Sequence, residues 1–344
     1  MKKVLFATTA LVLSAGVAAA EVSLSGDGRM GVKSVDDAIN FSSRARVKFT
    51  LSGESDSGIA FGGSFRVDQE DENGASASKG GAGTVFVSGS FGRVEMGDAV
   101  GAPEALWGDF YEVGYTDLGD EEGRLGNDIA YLTGDSNLGI AGNENPVLLY
   151  TYSTGPISLA ASFSDGKEGY TDQNDHQEMA VAAAYTWQNY TFGIGYEYAD
   201  SNDAGNFGTG LTTGTVLTDA TTGDLYLEEY TANKMDQVEL AFVGAFNDLN
   251  VKAVYAKGGK DNPVDNYFAI GADYTMDAWT FGGYVQYAEL DDGVYFTDGS
   301  DDVTWYGLGA EYDLGGGLSV KGGIADSNLD DTDVMYDLGM KFSF

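Results

Sequence analysis

The sequence predicts an all-β chain: a 16-stranded antiparallel transmembrane β-barrel with a long loop folded into its lumen. The first observation is the period at the carboxyl end, where residues 334–344 place an apolar side chain at every second position. This period gives a strand one apolar face, and about 10 residues are enough to cross a bilayer at a tilt. Similar segments recur along the chain, and the connections between them alternate between short and long.

The first twenty residues have the features of a secretory signal peptide. Lys2 and Lys3 precede an apolar run over residues 4–17, and residues 18–20 are three alanines, typical of a cleavage site before Glu21. The apolar run is short for a membrane helix. We therefore expect residues 1–20 to be removed on export and residues 21–344 to form one barrel domain, because only helices and closed barrels satisfy their backbone groups in lipid.

Composition excludes several classes of function. The chain has no cysteine, which rules out thiol chemistry and thiolate metal sites. Its one histidine, His176, lies among polar residues, which argues against histidine-rich zinc sites and most serine–histidine–aspartate triads. The formal net charge of −36 repels nucleic acid, which binds proteins mainly through basic contacts. We expect a protein that is not an enzyme and has no nucleic-acid partner.

Sixteen runs of alternating or largely apolar residues, each bounded by turn or loop residues, are predicted to be strands. In the third run, Ile59, Phe61 and Phe65 share one face, while Ser64 and Arg66 share the other. The predicted strands span, in chain order, residues 22–33, 41–51, 59–67, 84–90, 93–97, 147–153, 157–164, 179–187, 190–198, 237–246, 250–257, 267–274, 279–289, 303–313, 318–325 and 334–344.

The connections between these runs differ in length in a regular way. Tight turns are predicted at 188–189, 248–249, 277–278 and 314–317, and around Gly92. Long acidic connections are predicted at 68–83, 98–146, 200–236 and 291–302. Short turns on one rim and long loops on the other are typical of a bacterial outer-membrane barrel.

A soluble all-β domain or a glycine-rich secreted sandwich also shows alternation and is the alternative fold. Two features count against it. The apolar face continues across nearly every run, with aromatic residues near the strand ends, and the opposite face is too polar and charged for a sandwich core.

Strand alternation places a cluster of basic residues on the inner face of the first three strands. Their neighbours in sequence, such as Val47 and Phe65, face the lipid. A charge on the lipid face at the midplane costs roughly 2–4 kcal/mol, so the basic residues are expected to face water inside the barrel. The alternative is a solvated basic face that only balances the acidic loops. The candidate basic residues of the pore are Arg29, Arg44, Arg46 and Arg66.

The connection 98–146 combines many acidic residues with apolar ones such as Leu106, Trp107 and Phe110. Loops this long are usually functional. Pro103 fits the first position of a helix whose apolar face would pack on the barrel wall. We therefore expect this loop to fold into the lumen and face the arginines, which would create a transverse field that sorts solutes by size and polarity.

Several segments resemble the general porins of purple photosynthetic bacteria and their relatives. They are residues 21–31 (EVSLSGDGRMG), 41–46 (FSSRAR), 94–98 (VEMGD), 111–117 (YEVGYTD) and 145–152 (NPVLLYTY). The resemblance runs over essentially the whole chain after residue 20, and 200–236 departs most from the family pattern. It implies a homotrimer in the outer membrane, in contact with lipid and lipopolysaccharide, whose third loop forms the constriction.

The resemblance also implies which residues line that constriction. Arg29, Arg44, Arg46 and Arg66 correspond to its basic side, and its acidic side corresponds to Glu104, Asp109, Glu112, Asp117 and Asp135. It further implies calcium near the acids, with Glu104, Asp117, Asp120 and Asp135 as candidate ligands. Clustered carboxylates repel one another without a cation, which independently favours calcium, although a screened acidic loop remains an alternative.

The function expected from this resemblance is passive diffusion of small hydrophilic solutes through a water-filled channel. One alternative is a solute-selective channel for sugars or anions, which favours an ordered aromatic track that the sequence does not reveal. A structural or adhesive barrel with a filled lumen is a further alternative. A barrel enzyme is disfavoured because His176 lies far from any obvious serine partner.

Overall fold

A computed structural model describes residues 21–35, 38–70, 83–118, 126–134, 147–164, 176–201, 214–218, 225–229, 234–259, 262–291, 300–329 and 334–344. The strands are Glu21–Val35 (β1), Ala38–Glu54 (β2), Ala60–Glu70 (β3), Thr84–Gly89 (β4), Gly92–Gly97 (β5), Val147–Thr154 (β6), Ile157–Ser164 (β7), His176–Trp187 (β8), Tyr190–Ser201 (β9), Gly214–Thr218 (β10), Leu225–Glu229 (β11), Lys234–Phe246 (β12), Leu249–Gly258 (β13), Val264–Met276 (β14), Trp279–Leu290 (β15), Asp302–Gly315 (β16), Leu318–Ser327 (β17) and Met335–Ser343 (β18). A short helix, α1, spans Ala102–Trp107.

Sixteen of these strands form one closed antiparallel barrel, which confirms the predicted fold class. Each strand pairs with its neighbours in chain order, β9 pairs with β12, and β1 closes the barrel against β18. The remaining strands, β10 and β11, pair only with each other. The sequence did not predict this hairpin within 200–236, because strands of five residues are too short to show a clear period.

The first hairpin is longer than the sequence predicted. The predicted strands stop at residue 33 and resume at 41, whereas the structure pairs β1 with β2 as far as Val35 and Ala38. The reason is that Ile39 and Phe41 continue the outward apolar face of β2, where they are 67% and 88% exposed. The polar residues around them were mistaken for loop.

Aromatic side chains border the outward apolar surface at the turn-side rim. At the β8–β9 turn, Tyr185 and Trp187 are about half exposed, and the ring of Trp187 lies 6.1 Å from that of Tyr190. At the β14–β15 turn, Trp279 packs on Tyr312 at 4.8 Å. Such rings place their apolar bodies and polar atoms at a boundary between lipid and water.

The buried apolar residues lie mainly inside the barrel rather than between layers. Trp107, Val113, Leu118 and Ile129 belong to the connection 98–146 and are almost fully enclosed against inward-facing side chains of the strands. The segment is therefore packed into the barrel. Within the described ranges, no helix is long and apolar enough to cross a membrane.

Candidate functional site

The connection 98–146, called the inner loop below, first contacts the wall through α1. The helix has Pro103 in its first turn, as predicted, with Glu104 beside it. It packs against β6, β7, β8, β9 and β12. The Ala102 N–H donates to Ser162 Oγ at 3.0 Å, and the Trp107 ring occupies the space that a side chain at Gly193 would need, only 2.6 Å from an ideal Cβ there.

Buried polar residues of β8, β9 and β12 hold the returning half of the inner loop. The Glu197 carboxylate accepts hydrogen bonds from the Leu132 N–H at 2.9 Å and from the Thr133 Oγ1 hydroxyl at 2.6 Å. Gln237 donates to Glu197 at 2.7 Å and also reaches the Ala130 carbonyl at 3.1 Å. A buried carboxylate is tolerated only when donors satisfy it, so these contacts fix the loop backbone against the wall.

Glycines on the inner face let the middle of the inner loop approach the wall. An ideal Cβ at Gly271 would lie 2.3 Å from the Phe110 ring, and one at Gly282 would lie 2.2 Å from the Tyr111 ring. Both distances are much shorter than a van der Waals contact. Glycine is therefore required at these two positions of β14 and β15 for the loop to lie where it does.

A tight turn at residues 113–118 attaches the tip of the inner loop to β1, β17 and β18. The Asp337 carboxylate accepts from the Thr116 N–H at 2.8 Å, from its hydroxyl at 2.7 Å and from the Gly323 N–H at 3.0 Å. Arg29 donates to the Thr116 carbonyl at 2.9 Å and is 6% exposed. Arg29 was predicted only as a basic residue of the pore, and the structure shows that it also anchors the loop.

Glu112 forms ion pairs with two lysines of the wall. Its carboxylate lies 2.6 Å from Lys341 Nζ and 3.5 Å from Lys321 Nζ. Burial raises the pKa of Glu112, but the two ammonium groups and their hydrogen bonds outweigh burial and lower this pKa to about 2. The adjacent Tyr111 donates to Glu311 at 3.5 Å, and burial together with the Glu311 charge raises the pKa of Tyr111. Glu112 is therefore charged and paired with lysines of β17 and β18.

The predicted basic residues other than Arg29 lie together on β2 and β3, on the arc of the barrel next to the loop anchors. Strand register places Arg44 beside Arg29, and Lys48 beside Arg66. Between these pairs lies Arg46. We call Arg29, Arg44, Arg46, Lys48 and Arg66 the basic wall.

Two acidic residues lie within the basic wall, and the sequence analysis missed both. Arg46 has Asp27 as its register partner on β1 and Asp68 on β3. Arg46 Nε lies 3.0 Å from Asp68, and Arg44 lies 3.8 Å from Asp27. Their positions have the same strand parity as the arginines, and that signal could have revealed them.

The predicted acidic residues that the structure describes lie on two segments of the inner loop. Glu104 and Asp109 lie near α1, where Asp109 accepts from the Ile129 N–H at 3.0 Å and its carbonyl accepts from Lys252. Glu112 and Asp117 lie at the tip, and Asp117 adopts a left-handed φ of 66° there. Asp135 lies outside the described residues.

Only two of the four candidate calcium ligands lie among the described residues. Asp120 and Asp135 lie outside the described residues, whereas Glu104 and Asp117 lie on different parts of the inner loop. In the part of the chain that the structure describes, no group of three or more histidine or acidic side chains is arranged to hold a metal ion. Ca²⁺ takes six to eight oxygen ligands. The described residues alone do not supply that set, so calcium stays a prediction.

Comparison with known proteins agrees with this architecture. The family model for Gram-negative porins matches residues 7–332. A porin of Rhodobacter capsulatus is 49% identical over 342 residues, covering 94% of this chain and 100% of that protein. A porin of Fuscovulum blasticum is 25% identical over 336 residues, with the same coverage of both chains.

Solved structures show the same relationship. A porin structure refined at 1.8 Å resolution is 49% identical and superposes with a TM-score of 0.72, covering 94% of this chain and all of its own. A variant of Rh. blastica porin, 21% identical with a TM-score of 0.62 and the same coverage, shares the fold. The chain therefore belongs to the Gram-negative porins and is a general channel of the outer membrane rather than an enzyme.

Proposed function

We propose that the chain is a diffusion channel for small hydrophilic solutes, whose narrowest part lies between the inner loop and the basic wall. The observation that carries this proposal is the placement of the loop anchors. They lie on β6–β9, β12–β18 and β1, and the arginines of β2 and β3 occupy the adjoining arc. A path along the barrel axis therefore passes between the loop and these arginines.

The charges of the basic wall support a lumen filled with water. Lys48 is exposed although its position on β2 faces inward, and the Arg66 side chain is 36% exposed. A dry interior could not hold this net positive charge, because burying charge without full compensation costs far more than folding can offset. Sixteen strands also enclose a space wide enough for an aqueous channel.

Charge separation across the lumen accounts for discrimination between solutes. Arginines on one side and carboxylates of the inner loop on the other orient the water between them. A polar solute aligns its dipole with this field and gives up little hydration. An apolar solute must displace oriented water and is slowed. Selection by size and polarity then requires no specific binding site.

Assembly as a homotrimer and export by residues 1–20 complete the proposal. A trimer is supported by the outward residues at the loop-side end of β2, because Ile39 and Phe41 are 67% and 88% exposed in the single chain. Such exposure of large apolar groups beside a charged rim favours a protein neighbour. Lipid and lipopolysaccharide would cover the rest of the outward surface.

The direct test is single-channel current of refolded residues 21–344 in planar bilayers, with and without a neutral polar solute. We expect large ohmic steps that occur in groups of three, and no saturable block by the solute. Saturable block would instead support a solute-selective channel. Absence of current from protein with intact β-structure would overturn the proposal in favour of a filled barrel.

A further inference from the structure

Asp68 occupies an unusual place in the basic wall. Its two carboxylate oxygens contact two different arginines: Oδ1 lies 2.8 Å from Arg66 Nε, and Oδ2 lies 3.0 Å from Arg46 Nε. Its side chain is 11% exposed, so the carboxylate lies against the wall rather than in the open lumen. Asp68 lies between Arg66 of its own strand, β3, and Arg46 of β2, and it therefore links the two strands.

The contact atoms matter for the shape of the pore. Nε is the guanidinium nitrogen nearest the aliphatic stem, so a bond through Nε holds the whole planar group near the wall. Without such a bond, an arginine has several rotatable torsions and can extend into the water. Asp68 holds Arg66 in this way through the Nε hydrogen bond, and it forms an ion pair with Arg46 at 3.0 Å.

The neighbouring charges give Asp68 a second effect. Lys48 is the direct register partner of Arg66, and Arg46 lies two residues before Lys48 on the same inward face. Like charges opposed across strands repel. The carboxylate between Arg46 and Arg66 offsets that repulsion and lowers the net positive charge of the basic wall by one.

We propose that Asp68 is a positioning residue that sets both the ion selectivity and the solute size limit of the pore. It acts by holding the guanidinium group of Arg66 against the wall and, as the ion-pair partner of Arg46 and Arg66, by lowering the net positive charge that passing ions meet. This inference rests on the proposed path between the inner loop and the basic wall.

The test compares Asp68→Asn with Asp27→Asn in planar bilayers under a salt gradient. Both substitutions keep the side-chain size and remove one negative charge from the row of Arg46. Asp27 is a matched control because its side chain is 49% exposed and its carboxylate lies at the longer distance of 3.8 Å from Arg44. Reversal potential reports selectivity, and the permeation rate of neutral polyols of increasing size reports the size limit.

Both variants should raise the anion-to-cation permeability ratio by about sixfold, because a unit charge some 8 Å from the ion in water changes each permeability about 2.4-fold, in opposite directions. Asp68→Asn alone should also exclude larger polyols that the wild type admits, because the released Arg66 guanidinium extends into the lumen. Asp68→Glu, which can keep both contacts, should restore the wild-type size limit. If Asp68→Asn and Asp27→Asn behave alike in both measurements, the positioning role is wrong.

A second variant covers the case in which Asp68→Asn fails to fold. Arg66→Lys keeps the charge but has no Nε, so it should change the polyol size limit while leaving the reversal potential near that of the wild type. An unchanged size limit would contradict the proposal. Arg46→Gln distinguishes failure of the proposed path from failure of the role of Asp68. If Arg46→Gln leaves the reversal potential unchanged, the proposed path is wrong. If Arg46→Gln shifts the reversal potential but Asp68→Asn has no distinct effect, only the role of Asp68 is wrong.

Discussion

Glu112 is a single residue that both anchors the inner loop and places charge in the lumen. Its carboxylate is about half exposed yet lies within 4 Å of two lysines on different strands. The sequence predicted its position in the constriction from the family resemblance. It could not predict the lysine partners, because Lys321 and Lys341 are more than 200 residues away and their approach depends on the path of the loop inside the barrel.

The pairing of Glu112 predicts a defined pH dependence of stability. The folded pKa of about 2 lies below the ordinary value of 4.5, so the ion pairs stabilise the folded state fully above pH 4.5. That contribution is lost as the pH falls through about 2. Glu112→Gln should therefore lower the midpoint of thermal unfolding at neutral pH but not near pH 2, as followed by circular dichroism in detergent.

Removing the partner provides the control for this prediction. In a Lys341→Met background, Glu112→Gln should have a smaller effect at neutral pH, because part of the interaction is already absent. A difference between wild type and Glu112→Gln that is the same at neutral pH and near pH 2 would show that the carboxylate charge contributes nothing.

At the scale of elements, the strands were predictable and the inner loop was only partly so. Sixteen barrel strands follow from a period of two that each strand carries in its own sequence. The apolar content of the loop and Pro103 predicted a helix against the wall, which α1 confirms. The glycines that receive the loop gave no local signal, because Gly271 and Gly282 are read as ordinary strand residues until the positions of Phe110 and Tyr111 are known.

The close contact between Phe110 and Gly271 predicts that β14 controls the position of the inner loop. Gly271→Val should place new atoms inside the Phe110 ring and destabilise the protein by about 1–3 kcal/mol, the usual cost of overpacking. The displaced loop should also change the single-channel conductance. Ala272→Val, on the adjacent lipid-facing position, is the control and should change neither property; equal effects of the two variants would place the loop elsewhere.

The turns offer a second prediction for an element. Gly155 in the β6–β7 turn has a φ of 56°, and a Cβ built there meets no atom within 4 Å. Gly155→Ala should therefore destabilise only through backbone strain, by roughly 1–2 kcal/mol.

The β8–β9 turn allows the reverse substitution, in which a residue with positive φ is replaced by glycine. Gln188 has the same φ of 56° without being glycine, so Gln188→Gly relieves a similar strain. Thermal unfolding of both variants should show shifts of opposite sign. A loss of stability in Gln188→Gly would mean that its side chain contributes more than the strain costs.

At the scale of the whole molecule, a net charge of −36 surrounds a pore with a basic wall. The overall acidity attracts cations toward the channel, whereas the arginines favour anions along the basic wall. The balance between these fields depends on distances that the sequence does not contain. Composition therefore predicted the absence of nucleic-acid binding, but not the sign of the selectivity.

Screening by salt distinguishes the field of the distant acidic residues from the field of the basic wall. The Debye length falls from about 30 Å at 0.01 M salt to about 3 Å at 1 M, so the distant acidic residues should lose influence first. We expect the reversal potential measured at a fixed salt ratio to move toward anion preference as the absolute concentration rises. A reversal potential independent of concentration would indicate that only charges at the constriction act on the ions.

The most direct test of a path between the inner loop and the basic wall is the reversal potential of one combined variant, Arg44→Gln, Arg46→Gln and Arg66→Gln. Arg29 is kept because it anchors the loop at Thr116. If ions pass along this wall, removal of three positive charges should move the reversal potential strongly toward cation preference while the channel stays open. A reversal potential equal to that of the wild type would contradict this path.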